Sequence, residues 1–88
     1  MADVAITFSI LPEDSSMDLA VIEKELRAKL EGKCRISNLE QRDIAFGLKK
    51  LNLEVVVKDQ EGEQDRIEET LRNIKGVGQV DAEDMSLV

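Results

Sequence analysis

The sequence contains no histidine, tyrosine or tryptophan, and its 88 residues include a single cysteine, Cys34. Histidine and cysteine are among the commonest general bases and nucleophiles of enzymes, so their scarcity argues against catalysis by bond-making chemistry. One cysteine also forms no disulfide within the chain and supplies no metal-binding cluster. We therefore expect a non-catalytic protein of the cytoplasm that binds no cofactor and no metal.

Signals for membranes and for nucleotide binding are missing as well. No apolar run approaches the length of a membrane span, and the N-terminus lacks the basic, apolar and small-residue order of a signal peptide. Neither GxxxxGK[ST] nor GxGxxG occurs, so no phosphate-binding loop is predicted. With no membrane contact and no reactive centre expected, function is predicted to reside in a surface that contacts another protein.

The charge is strongly negative, with 19 acidic and 12 basic side chains and a net charge of −7. Such a chain repels phosphate backbones, which argues against direct binding to nucleic acid. Residues 33–50 differ from the rest because they hold five basic and two acidic side chains. The basic side chains of this basic segment are Lys33, Arg35, Arg42, Lys49 and Lys50.

The first half of the chain predicts a strand, a helix and a second strand. Apolar residues alternate over residues 4–11, which is typical of a half-buried strand that Pro12 ends. Apolar residues then recur at helical spacing and predict a helix over about residues 17–30, with Ser15 and Asp18 as a capping box. A second strand is predicted over about residues 34–40. The helical stripe consists of Leu19, Ile22, Leu26 and Leu30.

The second half predicts a long strand, a helix and a last strand. Leu51, Leu53, Val55 and Val57 share one parity, whereas Phe46 and Leu48 have the other, which predicts a β-bulge near Lys49 and Lys50. A helix follows with Ile67, Leu71 and Ile74 on its inner side and Gly76 as its stop. In the last strand Val80 and Ala82 are expected to face inward and Asp81 and Glu83 outward, at an edge of the sheet.

This order of elements predicts one α+β domain over residues 1–88. Two helices and four strands in the order βαββαβ pack most economically as a ferredoxin-like fold, a four-stranded antiparallel sheet with both helices on one face. With only two aromatic residues in the chain, the core is expected to be aliphatic.

The segment IAFGLKKLNLEVVV at residues 44–57, preceded by RD and followed by DQEGEQD, resembles the most characteristic stretch of the elongation factor 1 beta family. An opening strand that ends in LPE, a helix that begins with DL, and the ending VGQVDAEDMSLV also match. The resemblance covers essentially all residues and points to the short archaeal form of this family. It implies a guanine-nucleotide exchange factor that promotes GDP release and GTP rebinding on the GTPase elongation factor 1 alpha, without covalent chemistry. We expect the chain to be a monomer when alone. In that family the exchange domain contacts two domains of its partner.

The resemblance also implies where the partner binds. The exposed aromatic of the family matches Phe46, beside Ile44, Ala45 and Gly47, although periodicity alone is equally consistent with a core phenylalanine. The paired basic position of the family matches Lys49 and Lys50, for which a solvated strand edge is the alternative.

At the C-terminus the chain departs from the eukaryotic members, since their lysine near the partner's phosphate and magnesium site is replaced by Leu87. Leucine cannot make that charge interaction, so the lysine mechanism does not carry over. Met85 and Leu87 are instead expected to insert apolar side chains into the partner, or to lie in a frayed end.

Two hypotheses of other classes stay open at this point. The first is a small-molecule-sensing regulatory domain of the same ferredoxin-like topology that acts as a dimer, with a ligand pocket at the dimer interface. The second, an enzyme, would have to rely on carboxylates or lysines. A ligand-dependent shift in melting temperature together with a dimer in solution would favour the regulatory domain.

Overall fold

The structure, a computed structural model, describes residues 3–14, 16–60 and 62–87, with the backbone alone described at Phe46. The elements follow the predicted order, with a short 3-10 turn before the third strand. They are β1 (Asp3–Pro12), α1 (Leu19–Leu30), β2 (Arg35–Asp43), the 3-10 turn Ala45–Gly47, β3 (Lys49–Lys58), α2 (Glu63–Arg72) and β4 (Val77–Leu87). One sheet of order β2-β3-β1-β4 contains the four strands, and every neighbouring pair is antiparallel. The predicted ferredoxin-like fold is confirmed.

The core lies between the two helices and one face of the sheet. The two central strands, β1 and β3, bury about every second side chain, as the periodicity of a strand requires. Helix α1 buries the apolar stripe that was predicted from the sequence. α2 ends at Arg72, so Ile74 lies in the turn after the helix, where it is still buried. The strand residues of this aliphatic core are Val4, Ile6, Phe8, Ile10, Leu51, Leu53, Val55, Val57, Val77 and Val80. No helix in the described ranges is long and apolar enough to cross a membrane.

Helix α1 begins at Leu19, two residues after the predicted start, because Asp18 is its N-cap. The Asp18 carboxylate accepts a hydrogen bond of 2.9 Å from the backbone N–H of Ala20 and thereby satisfies one of the free donors of the first turn. The predicted capping box, with Ser15 as N-cap and Asp18 three residues later, is therefore wrong for Asp18. Ser15 itself lies outside the described residues.

The predicted β-bulge at Lys49 and Lys50 is wrong. Both lysines pair in unbroken register with β2, and β3 begins only at Lys49. The change of parity is produced by the 3-10 turn Ala45–Gly47, which ends the extended backbone before the strand starts. The bulge of this ladder lies in β2 instead, between Ile36 and Asn38.

Strand β4 lies at an edge of the sheet, as its charge predicted, but only part of its inward side is covered. Val80 is buried, and Ala82 lies on the core side as predicted, since it is the register partner of Phe8, but Ala82 is exposed there. A bulge then leaves Glu83 without a register partner on β1. Because of this extra residue, the rest of β4 is shifted, and Met85 pairs with Ile6 on the core side of the sheet.

Candidate functional site

The residues that were predicted to bind a partner lie at two opposite ends of the sheet. Since β1 and β3 are antiparallel, the start of β3 lies beside the end of β1. There Ile44, Ala45, Gly47 and Lys49 come together in what we call the loop end. At the opposite end, which we call the tail end, Met85 and Leu87 pair with the beginning of β1. The two ends are roughly 20 Å apart at the usual strand rise of about 3.3 Å per residue.

An open groove of about 560 Å³ occupies the loop end. Its walls come from the end of β1, the start of α1 and the segment that joins β2 to β3. Ile44 is half-buried, while Ala45, Gly47 and Lys49 are exposed. The apolar and proline side chains of its lining are Leu11, Pro12, Met17, Leu19, Ile44 and Leu48. Glu13, Asp14 and Asp18 also line it, so the groove combines apolar side chains with one exposed lysine and three carboxylates.

Backbone hydrogen bonds hold the segment that forms one wall of this groove. The N–H of Ile44 donates to the carbonyl of Leu48 at 2.8 Å, and the N–H of Leu48 donates to the carbonyl of Ala45 at 3.3 Å. Gly47 closes the turn with a φ of +74°, a conformation that favours glycine. Phe46 has its backbone in this turn, but its side chain lies outside the described part of the structure, so its exposure stays a prediction.

The structure adds residues that the sequence did not single out. Leu48 remains 39% exposed and lines the groove between Gly47 and Lys49. Met17, from the loop before α1, lines the opposite wall. The parity of Leu48, opposite to that of the core residues of β3, was a usable signal for its exposure. Met17 carried no such signal, because only the antiparallel pairing of β1 with β3 brings its loop to the groove.

The two lysines that were predicted together have different surroundings. The Lys50 ammonium lies on the sheet face away from the helices, 3.2 Å from a carboxylate oxygen of Glu83, and its side chain is 23% exposed. Lys49 is exposed at the groove, and no ion pair of this lysine is found in the described ranges. Lys49 is thus the better placed of the two to meet a partner, while Lys50 ties β3 to β4 across β1.

Glu83 is the acceptor of this cross-strand contact. A hydrogen bond from Ser9, whose residue is buried on the outer face of β1, lowers the pKa of Glu83, and the bond from Lys50 lowers the pKa further. Because the folded state favours the charged carboxylate, Glu83 stabilises the fold above the pKa of the unfolded chain. That contribution is lost as the pH falls through the lower pKa of the folded state.

We expect Glu83→Gln to reduce the free energy of unfolding by less than about 1 kcal/mol at pH 7, since the pair is partly solvent-exposed. The difference between Glu83→Gln and the unmodified chain should shrink as the pH falls through the lowered pKa of folded Glu83, because the carboxyl group is then neutral in both folded and unfolded states. Urea unfolding of both proteins at pH 7 and at acid pH measures the difference in the free energy of unfolding and its dependence on pH. A difference that grows toward acid pH would contradict the assigned role of the carboxylate.

The tail end exposes apolar side chains on a paired backbone. Met85 is 53% and Leu87 is 73% exposed, although the register pairs Leu87 with Val4. The alternative of a frayed C-terminal end is therefore wrong, because the strand remains paired with β1 up to Leu87. Val88 lies outside the described residues. A hollow of about 310 Å³ beside Met85 is bordered by Ile6 and by the start of α2.

Comparison with protein families finds one matching model. The EF-1 guanine nucleotide exchange domain matches residues 5–88. "Elongation factor 1-beta" of Thermoplasma volcanium is 52% identical over 88 residues, and that of Thermoplasma acidophilum is 43% identical, with both chains fully covered in each case. "Elongation factor 1-beta" of Methanothermobacter thermautotrophicus is 35% identical, over 97% of this chain and 96% of that protein.

A solved structure with a similar fold is the ACT domain from GTP pyrophosphokinase of Chlorobium tepidum. It superimposes with a TM-score of 0.65, covers 91% of this chain and 97% of that domain, and is 17% identical in sequence. At such low identity the likeness shows a shared fold alone. It gives no support to a ligand-sensing dimer, the alternative that the sequence left open.

Proposed function

The chain belongs to the EF-1 guanine nucleotide exchange domain family, and from this premise we propose that it contacts the GTPase elongation factor 1 alpha with both ends of its sheet to release GDP. A guanine-nucleotide exchange role in translation elongation follows from this family. The contacts at the loop end and the tail end are the part that we infer. The observation that carries them is the exposure of apolar side chains at both ends of one rigid sheet.

The loop end supplies a concave contact. Leu48 and Ile44 form an apolar wall, and Lys49 adds a positive charge at its edge. Interfaces draw most of their affinity from a few apolar or aromatic anchors in a pocket that excludes water. The loop end has this composition, and Phe46 is proposed as its aromatic anchor.

The tail end supplies a second contact about 20 Å away along the strands. Met85 and Leu87 stand on a strand that is paired with β1, so inserting them into a partner requires little further ordering of the backbone. Two separated contacts on one rigid body fit a partner whose two domains are held in a fixed relative position. Such a contact can favour one arrangement of those domains over another.

Exchange follows from this preference. A factor that binds the nucleotide-free arrangement of the GTPase more tightly than the GDP-bound arrangement weakens GDP binding by the same ratio. A hundredfold faster release requires that the factor lower the activation free energy for GDP release by about 2.7 kcal/mol, since each factor of ten in rate corresponds to about 1.36 kcal/mol. The two contacts are sufficient in principle, because single anchor residues contribute about 2 kcal/mol or more.

The chemistry of the surface supports an exchange factor without covalent steps. The side chains proposed as anchors are apolar except for Lys49, while charged residues line the edges of both contacts. Leu87 replaces the lysine that eukaryotic relatives direct at phosphate and magnesium. We propose that the chain acts as a monomer in the cytoplasm and makes no direct contact with nucleic acid, which its charge of −7 disfavours.

The test uses elongation factor 1 alpha of a close archaeal relative, loaded with fluorescent GDP and mixed with excess GTP. The intact chain should accelerate loss of the fluorescent nucleotide in proportion to its concentration until the GTPase is saturated. The control is an equal concentration of bovine serum albumin, which is also acidic. Release at the spontaneous rate over a wide range of chain concentrations would refute the proposed function.

A further inference from the structure

A cationic groove of about 460 Å³ lies near the tail end, on the side of β2 and β3. Four basic side chains line it, and the acidic side chains in its lining are Asp3 and Glu63. The basic side chains of this cationic groove are Lys33, Arg35, Lys58 and Arg66. In a chain of net charge −7, an excess of two positive charges in one concave surface is a local reversal of sign.

The fold brings these charges together from distant parts of the sequence. Lys33 lies in the turn before β2, and Arg35 is the first residue of that strand. Because β2 and β3 are antiparallel, Arg35 pairs with Val56 and lies close to the end of β3 at Lys58. The first turns of α2 then add Arg66 to the same groove.

Three of the four cations are available to a ligand. Arg66 contacts the Glu63 carboxylate at 2.7 Å. For Lys33, Arg35 and Lys58, all exposed, no ion pair is found among the residues that the structure describes.

The basic segment behaves differently at the end of β2 and the start of β3. There Arg42 is bound to Glu40 at 2.6 Å and Lys50 to Glu83 at 3.2 Å. The segment therefore keeps unpaired positive charge mainly at its two extremes, at Lys49 in the loop end and at Lys33 and Arg35 in the cationic groove. Exposed charges that are not neutralised by a neighbour contribute most to the field that a partner meets.

We propose that the cationic groove binds an acidic surface of the GTPase and thereby orients the exchange factor as it docks. This inference rests on the proposed function, since it names a further contact with the same partner. The groove shares Lys58 and Glu63 with the hollow beside the exposed Met85 at the tail end. A protein surface is favoured over RNA because the rest of the chain is acidic and repels a continuous phosphate backbone.

The groove acts mainly on the rate of association. Complementary charge raises the rate of productive encounters and suppresses wrong orientations, whereas apolar anchors determine how long the complex lasts. The negative charge elsewhere on the chain turns the other faces away from an acidic partner. The cationic groove and the adjacent tail end then approach the GTPase first.

The experiment compares two doubly charge-reversed variants in the fluorescent-GDP assay. Lys33→Glu with Lys58→Glu changes the groove, and Lys24→Glu with Lys75→Glu makes the same change of net charge at exposed positions outside it. At low salt, the groove variant should associate with the GTPase about tenfold more slowly than the control variant. The two should converge as salt shortens the Debye length to about 3 Å at 1 M.

The outcomes separate the groove from the proposed function. If the unmodified chain accelerates GDP release while groove and control variants share one rate and one salt dependence, the groove contact is refuted and the exchange function stands. If the unmodified chain itself does not accelerate release, the proposed function fails first. Melting temperatures verify that both variants fold, and Lys33→Gln with Lys58→Gln repeats the test without introducing acidic groups.

RNA is tested as the competing ligand with a fluorescently labelled single-stranded oligonucleotide and fluorescence anisotropy. The unmodified chain should show no binding at physiological salt. Binding that disappears in the groove variant and persists in the control variant would identify the groove as an RNA site and overturn the assignment to a protein partner.

Discussion

Leu48→Asp should lower the stimulated rate of GDP release about 30-fold or more at subsaturating concentrations. The Leu48 side chain lines the apolar groove of the loop end and is partly exposed there. Placing a carboxylate in a contact that excludes water removes an apolar anchor and buries an unpaired charge, and losses of about 2 kcal/mol or more are typical of such positions. The rate of GDP release is measured as a function of the concentration of the variant.

The matched control is Val21→Asp. Val21 is an exposed apolar residue of α1, 54% exposed, and it does not line the groove. Both variants should keep the melting temperature of the unmodified chain within a few degrees, since neither side chain belongs to the core. Equal exchange rates for Leu48→Asp and Val21→Asp would show that the loop end does not bind the GTPase. The same substitution at Leu87 tests the tail end.

Phe8→Ala should reduce the free energy of unfolding by about 3–5 kcal/mol. Phe8 is fully buried at the centre of the sheet, where its ring faces the helices from β1. Removing the ring loses the transfer free energy of the buried atoms and leaves a cavity that the aliphatic neighbours fill only in part. For a small domain this is a large share of the total stability.

Urea unfolding at neutral pH measures this loss, with Val21→Ala as the surface control, which should stay within about 0.5 kcal/mol. Below its melting temperature, the folded Phe8→Ala variant should still stimulate GDP release, because Phe8 is absent from the linings of both proposed contacts. A loss of less than 1 kcal/mol would contradict the central position of Phe8. Loss of exchange in the folded variant would indicate that the core and the contact surfaces are coupled.

Secondary structure and core were largely predictable because they depend on periodicity. The alternation of β1 and the stripe of α1 assigned their buried residues correctly, since side chains repeat every two residues in a strand and every 3.6 in a helix. Short-range irregularities were harder. The 3-10 turn Ala45–Gly47 was mistaken for a bulge at Lys49 and Lys50, because both produce the same change of parity in the sequence. The inward orientation of Ala82 was predicted correctly, but its exposure was not predictable, because the elements that cover an edge strand come from other parts of the chain.

The candidate site was predictable as a set of residues and not as an arrangement. The resemblance indicated Ile44, Gly47 and Lys49 together with Met85 and Leu87, but strand register decides that these lie at opposite ends of the sheet. The same register separates Lys49, exposed at the groove, from Lys50, paired with Glu83 from 33 positions further along the chain. Contacts between residues so far apart depend on register, which no local pattern specifies.

By itself, the sequence determined the class of this protein: an acidic ferredoxin-like domain, poor in catalytic groups and similar to a family of exchange factors. Only the tertiary structure decided which surfaces are available for binding. It formed the apolar groove of the loop end from three separate segments and the cationic groove from Lys33, Arg35, Lys58 and Arg66. The periodicity of the sequence indicates which side of each helix or strand faces the core. A binding surface is formed by residues from several elements that are distant in sequence, and only the tertiary packing brings those elements together.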